Sequence, residues 1–201
     1  KKMNLNYVVL TTVNRDDLAN QGAPHISRCI KAIQRESPRL FIEMLMPDFR
    51  GDKELLQKII VATPSVMAHN LETVRRLTPK VRDYRANYDQ SLEVLRYLKT
   101  NAPKGYTKSS LMLGLGESRR EILQAMEDLI GVGVDFLTIG QYLQPSRKHL
   151  KVFKFLHPKE FDELGKIGEQ MGFDYVAAGP LVRSSYKAAE FYIERKIRGT
   201  A

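Results

Sequence analysis

The chain of 201 residues is 43% apolar and 27% charged, which is sufficient apolar material for one domain with a core of normal size. Its apolar stretches fall far short of the roughly 20 residues that span a bilayer, so neither a membrane segment nor a membrane partner is predicted. Lys and Arg outnumber Asp and Glu by 32 to 23, but no basic stripe with interleaved aromatic residues accompanies the excess. An acidic protein partner is therefore favoured over nucleic acid.

Segments typical of strands and helices alternate along the whole chain. The first half reads as a strand over 7–12, a helix over 23–36, a strand over 40–45, a helix over 52–62 and a short strand over 66–69. After an irregular basic stretch follow a helix over 90–100, a strand over 109–113, a helix over 118–130 and a strand over 135–139. A helix over 158–171, a strand over 175–178 and a short basic helix complete the chain.

Several helix ends carry their own signals. Ser118 and Glu121 form a capping box, Pro158 suits the first turn of its helix, and Gly172 suits a helix stop. Such βα alternation predicts an α/β fold whose parallel sheet is closed or partly closed into a barrel.

The single cysteine excludes an intramolecular disulfide and any multi-cysteine metal site within this chain. Cys29 falls on the apolar spacing of Ile26, Ile30 and Ile33, which predicts a core position on an amphipathic helix. The histidines show no metal-ligand spacing, and no Gly-x-Ser-x-Gly elbow is present, so nucleophilic hydrolase chemistry has little support.

Polar residues follow the predicted strands, whereas mainly Pro, Lys and Gly turn residues precede them. In βα folds ligands gather at the carboxyl ends of the strands, because those loops vary while the scaffold stays packed. This rim is the predicted active face, suited to a polar, zwitterionic ligand.

Three groups on that rim are open to two interpretations each. Gly114, Gly116 and Glu117 form either a turn that lets backbone approach a ligand or a plain βα turn. His69, Asn70 and Glu72 have the amide and carboxylate chemistry that binds sugar hydroxyls, but Asn70 is equally suited to cap a helix. Asp16 and Asp17 suit an ammonium group or a metal, or are helix caps.

The block Arg183, Ser184, Ser185, Tyr186 follows the last predicted strand in a Gly-Pro context. Two serines there are able to cap the C-terminal helix. An arginine directly before them instead indicates a buried polar assembly, and function is favoured.

Taken in order, these blocks resemble the lipoyl synthase family of the radical S-adenosylmethionine enzymes. The resemblance covers nearly the whole chain and rests on these segments: YVVLTTVNRDDL, MPDFRGD, HNLETV, KVRDYRANYDQSL, TKSSLMLGLGE, LTIGQYLQPSRKHL and GPLVRSSYKAAEFY. The fourth and last segments look most like eukaryotic, mitochondrial members, which implies a mitochondrial location, although no transit peptide is present in this chain.

The resemblance implies a partial (β/α)6 barrel of the radical SAM or TIM-like type over 1–178, followed by the RSSY segment and a basic helix over 179–201. It implies that S-adenosylmethionine binds at the strand ends and is cleaved reductively at a 4Fe–4S cluster. The 5′-deoxyadenosyl radical then takes hydrogen from carbons 6 and 8 of a protein-bound octanoyl group, and a second 4Fe–4S cluster donates the sulfur. The cofactor-binding candidates are Asp16, Asn70, Glu72, Gly114, Gly116 and Glu117.

One serine of the RSSY block is implied to ligate the auxiliary cluster. We assign this role to Ser185, with Ser184 as the reserve, because neighbouring side chains point apart. The implied partners are an octanoylated carrier (H protein or a 2-oxoacid dehydrogenase E2 lipoyl domain) and an electron donor such as ferredoxin. Candidate substrate or partner contacts are Arg183, Arg147, Lys148 and Lys151.

The chain departs from the family pattern because both cysteine motifs and the first barrel strand, expected before Tyr7, are absent from it. Thiolates hold iron–sulfur clusters, so no cluster is expected in this chain alone, which is read as the inactive remainder of a longer enzyme. An unpaired edge beside 7–12 is expected to favour self-association. The alternatives are another radical SAM sulfurtransferase such as biotin synthase, which the RSSY and QPSRKHL blocks disfavour, or a cluster-free (β/α) binding or scaffold protein.

Overall fold

The computed structural model describes residues 5–185 and Gly199, and a six-stranded, wholly parallel sheet forms its centre. Each strand lies beside its neighbour in sequence, in the order β1-β2-β3-β4-β5-β6. The strands are β1 (Tyr7–Thr11), β2 (Phe41–Leu45), β3 (Val66–Ala68), β4 (Tyr106–Leu113), β5 (Phe136–Gln141) and β6 (Tyr175–Gly179). The predicted α/β class and the parallel sheet are confirmed.

Helices follow the strands in the predicted alternation. They are α1 (Ala23–Glu36), α2 (Lys53–Ile60), α3 (Thr78–Val81), α4 (Tyr88–Asn101), α5 (Arg119–Gly131) and α6 (Pro158–Met171), with a 3₁₀ turn at Phe49–Gly51. The sequence pattern does not predict the 3₁₀ turn or α3, because neither is long enough to show a helical period. The short basic helix predicted after the last strand lies outside the described residues.

Side-chain caps fix where the helices begin. Asp52 accepts hydrogen bonds from two backbone N–H groups of α2, and Asn87 does the same for α4. The predicted capping box of Ser118 and Glu121 is present, so α5 begins one residue later than the predicted helix. His157 and Glu160 form a second capping box at α6, and Gly172 ends that helix in the left-handed conformation, as predicted.

Apolar side chains cover the outer face of the sheet in two clusters. One joins β4, β5 and β6 to α4, α5 and α6, with Phe161 at its centre, and the other joins β2 to α1, α2 and α4 around Phe49. A third cluster joins Tyr7, Val66, Phe136 and Ala177, which lie on four different strands. Alternation along a strand puts these residues on the inner face, so the sheet curves around an interior.

The interior also contains charge. Lys108 Nζ on β4 lies 2.8 and 2.9 Å from the two carboxylate oxygens of Glu43 on β2, and both side chains are at most 2% exposed. Tyr7 on β1 donates its hydroxyl to the same carboxylate at 2.6 Å. These contacts tie three strands together across the hollow of the sheet.

The prediction of a core position for Cys29 is wrong. The residue is half-buried on α1, and its Sγ lies 3.5 Å from the ring of the exposed His25. Ile26 and Ile30 occupy the buried stripe of this helix, and Cys29 lies at its margin.

In the described part of the chain β1 pairs with β2 alone, so it forms an edge of the sheet. Association through this edge stays a prediction.

In the part of the chain that the structure covers, no helix is both long and apolar enough to cross a membrane.

The first testable prediction concerns acid stability. Arg76 hydrogen-bonds Glu121 and, with the backbone N–H of Ser118, lowers the pKa of that carboxyl from 4.5 to about 2. A folded-state pKa below the unfolded value stabilises the fold above about pH 4.5, and this contribution is lost as the pH falls from about 4.5 to about 2. Glu121→Gln should therefore flatten this part of the stability profile measured by urea unfolding. Glu127→Gln, on an exposed site of the same helix, is the control, and parallel profiles for Glu121→Gln and wild type would contradict the assignment.

Candidate functional site

Ion pairs join the loops that follow the first strands. Asp16, after β1, lies 3.1 Å from Arg50 of the loop after β2 and 2.7 Å from Arg85 of the segment before α4. Asp17 instead pairs with Arg15 in an exposed contact. Asp16 thus pairs with two arginines from two other segments, so it links the loop after β1 to the loop after β2 and to the segment before α4.

The loop after β3 returns to the sheet at Glu72. This residue has a φ of +71°, and its backbone bridges to β4 through Glu72 N to Ser110 O at 2.9 Å and Met112 N to Glu72 O at 2.8 Å. A left-handed conformation is uncommon outside glycine, so the surrounding structure must hold it. Asn70 donates its side-chain amide to the Glu72 carboxylate at 3.1 Å, and burial raises the pKa of Glu72.

A chain of hydrogen bonds holds Arg82 beside this loop. Arg82 donates to the hydroxyl of Ser91 at 2.8 Å, Ser91 lies 2.9 Å from Nε2 of His69, and Nδ1 of His69 lies 3.1 Å from the carbonyl of Met46. Nδ1 must carry the proton to donate to a carbonyl, so Nε2 accepts from Ser91. Burial lowers the pKa of His69, in keeping with a neutral ring.

Both ring nitrogens of His69 therefore form hydrogen bonds within the protein and are not available to a ligand. The sequence groups it with Asn70 and Glu72 as a residue suited to binding sugar hydroxyls, but both of its ring nitrogens already have partners and it is 4% exposed. Its position supports Arg82 instead.

A rim cavity of about 560 Å³ opens between these loops. Burial lowers the pKa of Arg82, and no carboxylate within the described residues lies at ion-pair distance from its guanidinium. A partly buried cation without a direct counter-ion favours an anionic group as its ligand. The lining includes Thr12, Asn14, Asp48, His69, Asn70, Glu72, Arg82, Asp83 and Met112.

The backbone N–H groups of the glycine turn after β4 are bonded to a side chain of the same turn, and other parts of the protein pack against its glycines. Glu117 accepts hydrogen bonds from the backbone N–H groups of Gly114 and Leu115, the latter at 2.9 Å. A Cβ on Gly114 would collide with the side chain of Gln141 and the carbonyl of Lys154, and Gly116 lies against the ring of Phe153. This geometry favours the plain βα turn among the two interpretations of Gly114, Gly116 and Glu117.

Gln141 fastens the long segment after β5 over that turn. Its amide nitrogen donates to the carbonyl of Lys154 at 3.1 Å, and its amide oxygen accepts from the backbone N–H of Leu156 at 3.0 Å. Phe153 N donates to Gly114 O at 2.8 Å. The half of the rim formed by β4 and β5 is thus covered from outside by residues 153–156.

Residues 182–185 close over the inner face of the sheet. A Cβ on Gly140 of β5 would collide with the carbonyl of Val182, so only glycine admits the segment at this distance. Val182 is buried, and the carbonyl of Ser184 accepts a hydrogen bond from Lys108 Nζ at 2.6 Å. Ser184 is half-buried and Ser185 is exposed.

An inner cavity of about 200 Å³ joins the two groups of candidate residues. Asn70 and Glu72 line it on the β3 side, and Arg183 and Ser184 line it from the C-terminal segment, with Ser110, Met112 and Gly140 on the strands between. Asn70, Glu72 and Met112 also line the rim cavity, so the two spaces share a wall. Sequence reasoning placed these residues on one rim but did not bring them together.

The candidate partner residues Arg147, Lys148 and Lys151 lie on the exposed surface of the segment after β5. None of the three has an ion-pair partner in the stretch that the structure covers. Phe153 and Phe155, 78% and 68% exposed, lie close to them in sequence. The segment therefore presents cationic and apolar side chains together.

Sequence reasoning missed Arg82, Glu43 and Lys108. Arg82 lies in a basic stretch without periodicity, where no pattern distinguishes it from its neighbours. A charged residue inside an apolar strand is itself a signal, since such residues are seldom buried without a partner. That signal was available for Glu43, which lies inside the predicted strand over 40–45, but not for Lys108, which precedes the predicted strand over 109–113.

The chain is similar to known proteins in sequence and in fold. The family model of the Radical SAM superfamily matches residues 1–129. The chain is 53% identical over 190 residues to the mitochondrial lipoyl synthase of Branchiostoma floridae, covering 94% of this chain and 50% of that protein. It is 55% identical over 195 residues to the lipoyl synthase of Myxococcus xanthus, covering 96% and 65%.

The chain therefore spans about half to two thirds of the length of the curated relatives it matches. Both a eukaryotic relative named as mitochondrial and a bacterial relative are among them. Among solved structures, methylornithine synthase is similar with a TM-score of 0.59 and 13% identity, over 97% of this chain and 48% of that one. At that identity the likeness supports the fold alone.

A second prediction tests the covered glycine turn. Gly114 has a φ of +105° and no room for a Cβ, so Gly114→Ala should destabilise the protein by about 1–3 kcal/mol and loosen residues 153–156. Gly131, at the end of α5, has nothing within 4 Å of the point that a Cβ would occupy, so Gly131→Ala should leave stability unchanged or slightly higher. Urea unfolding and limited proteolysis compare the two. Equal stability of both variants would mean that the turn tolerates a side chain and is open.

Proposed function

The chain belongs to the radical SAM superfamily, and from this membership we propose that it is the (β/α) barrel part of a lipoyl synthase. The proposed activity replaces two C–H hydrogens of a protein-bound octanoyl chain, at carbons 6 and 8, by two sulfur atoms. The proposal places this part in mitochondria, as for the eukaryotic relative named above. The observation that carries it is the inner cavity, which is shared between Asn70 and Glu72 on one side and the RSSY segment on the other.

The residues of the rim cavity fit S-adenosylmethionine. The partly buried Arg82 suits the carboxylate of the methionyl group, and the amide and carboxylate of Asn70 and Glu72 suit ribose hydroxyls. When bound, this cofactor supplies the species that abstracts hydrogen from the substrate. The protein contributes orientation, because Asn70 fixes the Glu72 carboxylate and Ser91 fixes the guanidinium of Arg82.

The clusters of the family do not fit the residues of this chain alone. Iron–sulfur clusters are held mainly by thiolates, and the only cysteine, Cys29, lies on α1. Within residues 5–185 no three His, Cys, Asp or Glu side chains are grouped to hold a metal. Ser185 is proposed as a single ligand in the full-length protein, the remaining ligands coming from sequence outside this chain.

The long segment after β5 is the proposed docking surface for an acidic, octanoylated carrier. Arg147, Lys148 and Lys151 supply exposed positive charge, and Phe153 and Phe155 supply exposed apolar surface beside it. The net charge of +9 would steer an acidic domain toward the protein. An electron donor such as ferredoxin is the second proposed partner.

The function is tested with the full-length gene product, reconstituted anaerobically with iron and sulfide. It is given S-adenosylmethionine, a reductant and, in parallel reactions, either an octanoylated carrier or a small-molecule sulfur acceptor, and each acceptor is analysed by mass spectrometry. Exchange of two hydrogens for two sulfurs supports the proposal. Cofactor cleavage with sulfur inserted only into a small-molecule acceptor would support a biotin synthase type of enzyme, and neither cleavage nor insertion would favour a binding protein.

A third prediction concerns Arg82. Arg82→Met keeps much of the side-chain length but removes the cation and the hydrogen bond to Ser91, so the affinity of the full-length protein for S-adenosylmethionine should fall by about tenfold or more. Equilibrium binding measures it. Arg96→Met, on the exposed face of α4, is the matched control and should bind as wild type does. Unchanged affinity in Arg82→Met would remove this residue from the site.

A fourth prediction concerns the docking surface. Reversal of Arg147, Lys148 and Lys151 to Glu should slow association with the octanoylated carrier and flatten its salt dependence, because exposed charges act mainly on the association rate and are screened beyond about 8 Å. Cofactor cleavage without carrier should stay near normal. Stopped-flow association at several salt concentrations measures the effect.

The control reverses three exposed cations at the opposite rim, Arg35, Arg39 and Lys104. Equal slowing by both triple variants would indicate a general effect of net charge. No slowing by the first would place the docking surface elsewhere.

A further inference from the structure

The buried pair of Glu43 and Lys108 contacts neither the rim cavity nor the inner cavity through a lining side chain. It nevertheless lies beneath the C-terminal segment, since the carbonyl of Ser184 is 2.6 Å from Lys108 Nζ. This is a contact between a charged side chain of the barrel interior and the block that carries the candidate ligand Ser185.

The geometry uses every proton of the lysine. An ammonium group has three N–H donors, and Lys108 directs them to the two oxygens of Glu43 at 2.8 and 2.9 Å and to Ser184 O at 2.6 Å. Tyr7 donates to Glu43 from the third strand of the network at 2.6 Å. Because all three donors are used and the side chain is buried, the ammonium has little freedom to shift.

Over the described residues 180–185, Val182 is packed against β5 and the other hydrogen bonds of the segment are short-range. Val182 N donates to Gly179 O at 3.1 Å, and the side chain of Arg183 returns to the carbonyl of Val182 at 2.7 Å. Both contacts are local to the segment and to the end of β6. Among the hydrogen bonds of the described residues, the one from Lys108 ties residue 184 to a distant strand, β4.

We propose that Lys108, held by Glu43, is a positioning residue that fixes the backbone of the RSSY segment over the inner cavity and so sets where Ser185 stands. The inference rests on the proposed function for the meaning of Ser185. The placement of the segment itself does not depend on the reaction.

Hydrogen exchange of the full-length protein tests the placement. The variant Glu43→Gln with Lys108→Met removes both charges together, leaves an acceptor for Tyr7 and removes the donor to Ser184. The peptide covering 180–185 should exchange at least about tenfold faster than in wild type, because its carbonyl anchor is lost. Exchange in the helices should stay as in wild type.

Lys99 provides a matched control. It directs its ammonium to both oxygens of Asp135, at 2.7 and 2.8 Å, and to the carbonyl of Gly105 at 3.4 Å, which is the same pattern of partners away from the segment. Lys99→Met should leave exchange over 180–185 unchanged. Faster exchange in both variants, or in neither, would overturn the proposal.

A second variant covers the case in which the double variant does not fold. Gly140→Ala pushes Val182 away from β5 while leaving Glu43 and Lys108 in place. If the segment seals Lys108, this variant should make that amine, 2% exposed in wild type, reactive toward an acylating reagent. Reactivity that stays at the wild-type level while exchange over 180–185 rises would show that the segment does not rest on Lys108.

The reaction gives a separate readout. In the full-length protein the number of cofactor molecules cleaved per sulfur inserted should rise in the double variant and stay unchanged in Lys99→Met. A wild-type protein that inserts no sulfur would defeat the proposed function, whereas the exchange results would still decide the role of Lys108.

Discussion

The ion pair between Glu43 and Lys108 is the constraint around which the interior of the sheet is arranged. A buried pair is costly to desolvate, and removing one partner typically costs about 3–5 kcal/mol because the other charge is left without compensation. Here Tyr7 and the carbonyl of Ser184 complete the hydrogen bonding of the two charged groups. The pair therefore relates β1, β2 and β4 to the C-terminal segment, and an apolar pair of equal volume would fill the space without specifying that relation.

The rim divides into two halves of different character. The loops after β1, β2 and β3 are polar. They are joined by the ion pairs of Asp16 and by the chain of hydrogen bonds that runs from Arg82 through Ser91 and His69 to the carbonyl of Met46. The rim cavity lies between these loops. After β4 and β5 the turn is capped by Glu117 and covered by residues 153–156. The larger polar cavity thus lies on the first half, and the second half presents an outward basic surface.

The order and type of the main elements could be predicted because apolar periodicity and helix caps are local signals. Ser118 with Glu121 and Pro158 with Gly172 placed their helices to within a residue. Other features depend on distant contacts. Nothing near Gly114 in sequence indicates that Gln141 and Lys154 fill the space beside it, and the half-buried state of Cys29 follows from how α1 lies on its neighbours. Arg82 is distinguished by its position in the rim cavity and by its hydrogen bond to Ser91, which in turn contacts His69.

The two walls of the inner cavity come from segments that are far apart in sequence. One wall, Asn70 and Glu72, comes from a loop with a strained residue at φ +71°, and the other, Arg183 and Ser184, comes from a segment beyond the last strand. Both walls are fastened to β4, the first through the backbone of Ser110 and Met112 and the second through Lys108. A single strand thus sets the distance between the two groups, and the proposed reaction would depend on this shared attachment, because reactive groups must be held to within about 0.5 Å.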